Sequence, residues 1–167
     1  MKRRKFISFF TMAAAAAIAR RPLFGAANTQ RPSTRADDRP EVVQTVRAFF
    51  NALEANNDAQ FTSAVIPEFY SFEGGTRFNG QAILSFVKAQ HAAGKSYKWN
   101  ISNADVHVIG NKAWIAYLNK GSIADLSGKT DQEWLESAFL EKQGAGWKIA
   151  FLHSTRVPKP VPNANDN

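Results

Sequence analysis

The 167-residue chain contains no cysteine. That absence excludes disulfides, thiolate nucleophiles and cysteine-ligated metal sites, whatever the redox state of the compartment. Phosphate-cradling glycine loops, dinucleotide fingerprints and nucleophile elbows are missing too, so nucleotide chemistry and covalent catalysis have no support. Ser137 and Ser154 stand in no readable histidine–acid arrangement. The three histidines, His91, His107 and His153, are never two or four residues apart. No metal site and no cofactor is therefore expected. No internal repeat is visible, and the apolar stretch from Phe6 to Ala19 falls short of the roughly 20 residues that a bilayer core requires.

What is present begins at the N-terminus. Arg3-Arg4-Lys5-Phe6-Ile7 is followed by apolar residues to Ala19, with small residues near Gly25-Ala26-Ala27. This arrangement resembles a twin-arginine export signal, an address read by an export receptor. It implies a leader over residues 1–27, cleavage near Ala27, and a periplasmic or secreted protein. Six of the 21 Lys and Arg residues lie in that leader and none of the 14 acids does. The remainder carries 15 basic against 14 acidic side chains, so the apparent basicity that would suggest a nucleic-acid partner disappears.

Residues 28–37 are polar and read as a flexible linker, residues 38–157 as one domain, and residues 158–167, with their prolines and asparagines, as a disordered tail. Asp38 and Glu41 bracket Pro40 at a helix start, and Val42, Val46, Phe49 and Leu53 follow at helical spacing. Asn56-Asn57-Asp58 breaks this helix and caps a short second one, which buries Phe61, Ala64 and Val65 before Pro67. Glu68 to Glu73 reads as a short strand and Gly74-Gly75 as a turn. Gln81 to His91 reads as a third helix, stopped by Gly94. From Ser96 the periodicity becomes that of strands, with turns at Gly110-Asn111, Ser127-Gly128-Lys129 and Gly144-Ala145-Gly146. Three helices, one short strand and an antiparallel meander bury themselves only if the sheet curls around the first helix. The expected fold is α+β, a cystatin-like cone with a mouth.

This element order, Phe78-Asn79-Gly80-Gln81-Ala82-Ile83 leading into the third helix, and Gly146-Trp147-Lys148-Ile149-Ala150-Phe151-Leu152-His153-Ser154 at the close resemble the nuclear transport factor 2-like superfamily, specifically its SnoaL-like branch. The closing strand also resembles that of the calcium/calmodulin-dependent kinase II association domain. The resemblance implies an open conical pocket between the inner sheet face and the first and third helices, and a dimer through the outer face. Along the last strand Trp147, Ile149 and Phe151 alternate to one face and Ala150 and Leu152 to the other. Two apolar faces on one strand independently suggest a homodimer.

Tyr70, Trp99, Trp114, Tyr117 and Trp134 are spread over the strands, and aromatic walls suit a planar or apolar small molecule. Tyr70, Trp99, Tyr117, Trp134 and His153 are the candidate ligand-binding residues. Alternation groups His153 with Phe151 and Ile149, on a face that the sequence leaves open. Glu73 lies where the resemblance to ketosteroid isomerase places the general base, although Glu73-Gly74-Gly75 replaces that enzyme's aspartate and following proline. Glu73 and His153 are thus the candidate bases, against readings as an exposed turn glutamate and a structural histidine. Asp105 and Asp125 stand near turns. Arg77 and Arg156 would clamp a carboxylate if they point inward. Three functions stay open: a small-molecule binder, a cofactor-free isomerase, cyclase or dehydratase, and an assembly module.

Overall fold

The computed structural model describes residues 38–159, and the expected leader, linker and most of the expected tail lie outside them. Three helices, α1 (Asp38–Glu54), α2 (Asp58–Ala64) and α3 (Gly80–Ala92), accompany six strands: β1 (Val65–Glu73), β2 (Thr76–Asn79), β3 (Ser96–Ile109), β4 (Lys112–Asp125), β5 (Gly128–Gln143) and β6 (Gly146–Arg156). The helices begin where side chains satisfy their first amides. The Asn57 side chain accepts from the Gln60 N–H at 3.0 Å, and Asn79 accepts from the Ala82 N–H at 2.8 Å. The residue before α2's cap, Asn56, takes a positive φ of 53°, which turns the chain sharply between α1 and α2.

All strands form one sheet in the order β2-β1-β6-β5-β4-β3. Two features go beyond the sequence expectation. The glycines Gly74 and Gly75, at φ 55° and 80°, form a two-residue hairpin turn, so Thr76–Asn79 returns as β2 against β1. The sheet is also mixed, because β1 runs parallel to β6. The long connection through α3 and the meander brings the last strand back beside the first. Pro67, expected to follow the second helix closely, lies inside β1, in the stretch where its register against β6 shifts.

The sheet's inner face closes over α1. Val42, Val46, Phe49, Phe50 and Leu53 pack against Ile101, Ile115, Tyr117, Leu140, Ile149 and Leu152 in one buried cluster. Two bulges bend the sheet around this rod. In β3 three steps from Ser102 to Asp105 oppose two in β4, with Asn103 at φ 50°. In β6, Ile149 and Phe151 oppose the consecutive residues Leu140 and Phe139, leaving Ala150 as the extra residue.

The Ala150 bulge corrects the expected grouping of side chains on β6. Trp147 and Ile149 are buried before it, and Leu152 and Ser154 are buried after it, whereas Phe151 is only partly covered and His153 is exposed. An extra residue inverts the alternation, so Phe151 and His153 leave the face that Ile149 occupies.

Candidate functional site

The wide end of the cone holds a cavity of about 150 Å³. From the helical side α1 supplies Phe49, Phe50 and Leu53, and α3 supplies Ile83, Phe86 and Val87. From the sheet come Tyr97, Trp99 and Trp134. Tyr97 and Trp99 stack with centroids 5.2 Å apart and planes 5° from parallel, and Phe50 meets the Trp99 ring at 5.4 Å. The wall is therefore a continuous aromatic surface.

The polar groups of the cavity sit at two depths. Ser71, Glu136 and Ser154 are almost wholly buried, while Glu73 is half-buried and Arg156 exposed. Glu136 forms the inner end. Its Oε2 accepts from Asn119 Nδ2 at 3.0 Å and its Oε1 accepts from Ser154 Oγ at 2.8 Å. Asn119 is held in turn, because its Oδ1 accepts the Asn100 backbone N–H at 3.0 Å. No Lys, Arg or His forms an ion pair with Glu136 among the described residues.

A carboxylate that leaves water without gaining a cation is stabilised in its neutral form. Burial pushes Glu136 up to about 7, against the opposing pull of the donors Asn119 and Ser154 and of the nearby Tyr117 phenol, and Glu73 adds a further push upward. Tyr117 stands opposite Glu136 across β4 and β5. Burial first, and then the neighbouring carboxylate, raise its phenol well above the usual range. The two groups influence one another electrostatically, yet their geometry falls short of a full hydrogen bond, and the Tyr117 hydroxyl has no partner among the described residues. Ser71 Oγ, on the cavity wall, is likewise buried without one. At the mouth, burial raises Tyr97, with Arg156 pulling it down and Glu73 pushing it up.

The sequence candidates separate into two groups. Trp99, Trp134 and Glu73 line the cavity, and Tyr117 lies buried directly behind Glu136. Tyr70 and His153 do not reach it. Both stand on the outer face, where the Tyr70 and Phe151 rings meet at 4.9 Å, Phe72 lies 6.3 Å from the His153 ring, and Arg77 caps Tyr70 at 4.4 Å. Arg156 is at the cavity and Arg77 is not. His91 bonds to the Asn56 side chain at 2.8 Å, and His107 stacks on Trp114 at 4.6 Å. Sequence reasoning missed Glu136. The available signal was its phase, since Glu136 shares strand parity with Trp134, Ala138 and Leu140, all buried.

A larger groove of about 660 Å³ lies at the same ends of β3, β4 and β5, lined by residues that alternate with those of the cavity. Three of its four lysines are already paired: Lys98 with Glu54 at 2.9 Å, Lys120 with Glu133 at 3.0 Å and Lys129 with Asp131 at 3.6 Å. Of its polar side chains Ser122 and Gln132 are buried, and no carboxylate in its lining is buried as Glu136 is in the cone.

Three solved structures illustrate what the fold is similar to. The CaMKII hub of S. rosetta is 19% identical, with 71% of this chain and 95% of that chain covered at a TM-score of 0.59. A protein of the NTF2-like family from Streptomyces avermitilis is 16% identical over 73% and 98%, with a TM-score of 0.63. An uncharacterized protein with a cystatin-like fold from Caulobacter vibrioides is 13% identical over 72% and 89%, with a TM-score of 0.58. At these identities the likeness concerns the fold alone. No curated protein matches the chain in sequence. The pattern of the SnoaL-like domain matches residues 42–159, the whole of the cone from α1 onward, and the chain belongs to that family.

Proposed function

We propose that the cone binds a small, largely apolar molecule of single-ring size. The observation that carries this reading is the aromatic-walled cavity of about 150 Å³ ending on a buried carboxylate, a volume suited to one benzene-sized ring. Ser71 and Glu136 fix the orientation of whatever polar group the ligand carries. Native mass spectrometry of protein purified from its source tests this reading. A co-purifying small molecule, lost on Trp99→Ala, is expected; a chain that arrives empty and whose tryptophan fluorescence responds to no aromatic compound sinks it.

A second reading, acid–base catalysis, is favoured by one observation: a carboxyl raised to about 7 beside a buried, unpartnered phenol. A base poised near the working pH and a hydroxyl able to stabilise a developing oxyanion suit isomerase, cyclase or dehydratase chemistry. In that case Glu136, not Glu73 or His153, is the base. Product formation abolished by Glu136→Gln with ligand binding retained is the discriminating result.

The outer sheet face supports self-association. Tyr70, Phe151, Phe139, Trp114 and His107 are register partners in one rung across β1, β6, β5, β4 and β3. Trp114 and Leu135 remain 44% and 61% exposed on that face, an apolar surface that a second copy would cover. The similarity to hub domains supports the same conclusion. The N-terminal arginine pair supports export, and retention of an Arg3→Lys, Arg4→Lys chain inside the cytoplasm is the expected outcome.

A further inference from the structure

We propose that the ligand of this cavity is a small aromatic or apolar amine, bound as its ammonium ion with the charge directed at Glu136. The inference rests on the small-molecule reading of the cone and narrows it to a chemical class.

Four lining side chains titrate: Glu73, Glu136, Tyr97 and Arg156. The helices contribute only apolar groups to the lining, and Tyr117 behind Glu136 is neutral. With both carboxylates ionised, one positive charge faces two negative ones, and the lining carries a net charge of −1. Position matters as much as sum. The guanidinium is at the exposed rim near Glu73, while the inner end presents a carboxylate held only by the uncharged donors Asn119 and Ser154. A carboxylate ligand entering head-first meets Glu136 without a cation to offset it, whereas an ammonium supplies the missing counter-charge.

The wall serves the same class. The stacked Tyr97 and Trp99 faces and Trp134 line the cavity beside Glu136, and aromatic faces attract a cation desolvated against them. Ser71 Oγ, buried without a partner, is an acceptor for a second ammonium N–H. Arriving as a cation, the ligand also draws the proton from Glu136, because a neighbouring positive charge favours the ionised carboxylate. Binding near neutral pH therefore releases part of a proton to the buffer.

Benzylamine, benzyl alcohol and benzoate, near-isosteric and differing in head group, test the proposal on the full 167-residue chain by calorimetry and tryptophan fluorescence. At pH 8, benzylamine is expected to bind at least tenfold more tightly than benzyl alcohol, with no saturable binding of benzoate. Lowering the pH to 5.5 is expected to shrink the amine preference at least fivefold, and calorimetry in buffers of different ionisation enthalpy to register proton release at pH 7. Glu136→Gln levels benzylamine with benzyl alcohol. Equal binding of amine and alcohol by the native chain, or tighter binding of benzoate, overturns the amine assignment and leaves the small-molecule reading standing. Silence from all three probes overturns both. The native chain decides the matter even if the variant fails to fold.

Discussion

Asn119 and Glu136 are diagonal neighbours across β4 and β5, and the amide of the first donates to the carboxylate of the second at 3.0 Å while its own oxygen accepts the Asn100 backbone amide. One fully buried asparagine thus ties the edge strand β3 to the inner end of the cavity. Removing it leaves both a backbone N–H and a carboxylate oxygen without a partner. Asn119→Ala is expected to cost about 2–4 kcal/mol of stability, read as a lowered urea midpoint; a loss under about half a kcal/mol contradicts the network's role.

The raised Glu136 ionisation has a definite sign in stability. Between the unfolded value of 4.5 and the folded value of about 7, the native chain holds a proton that the unfolded chain releases, so this group's contribution falls as pH rises through that window. The difference in unfolding free energy between the wild type and Glu136→Gln is expected to shift by roughly 3 kcal/mol in favour of the variant between pH 4.5 and 8. Denaturant titrations at the two pH values measure it, and a difference independent of pH refutes the assignment.

Tyr117 offers a contrasting case. Its hydroxyl is buried and unpartnered, so Tyr117→Phe removes a desolvated polar atom without orphaning another. The variant is expected to be as stable as the wild type within about 1 kcal/mol, or more stable. If the catalytic reading is correct, the same variant loses turnover while keeping its melting temperature.

Asp38, 7% exposed at the start of α1, pairs with Lys142 of β5 at 2.6 Å. Lys142→Met leaves that carboxylate buried and unpaired, at an expected cost of about 3 kcal/mol. Adding Asp38→Asn is expected to restore most of the loss. A double-mutant cycle on thermal unfolding checks the coupling, and independent additive effects would count against it.

For the outer face, sedimentation of the native chain at micromolar concentration is expected to give a dimer, and Trp114→Glu with Leu135→Glu a folded monomer. A native chain that sediments as a monomer removes the self-association reading.

Much of this architecture is legible in the residues themselves. The helical spacing of Val42, Val46, Phe49 and Leu53 fixes the central rod, and the Asn56-Asn57-Asp58 run announces the second helix by capping chemistry. β2 escapes because four residues, Thr76 to Asn79, are too few for a periodic signal. The cavity was legible only in part. Trp99 and Trp134 follow from aromatic content, but His153 and Tyr70, candidates by residue type alone, stand on the outer face; on β6, alternation does not register the extra residue Ala150, which separates His153 from the face of Ile149. Glu136 was overlooked because a glutamate in a strand ordinarily points to water. Its parity with Trp134 and Ala138 carried the contrary message.

The extra residue at Ala150 has an evolutionary corollary. Deleting it would exchange, in one step, the side chains that β6 offers to the chamber for those it offers to the outside: Leu152, Ser154 and Arg156 would trade places with Phe151, His153 and Thr155. The lining of the chamber and the make-up of the outer face are thereby wired to a single insertion, so a lineage carrying a shortened last strand would acquire a histidine-floored chamber and a different outer surface together.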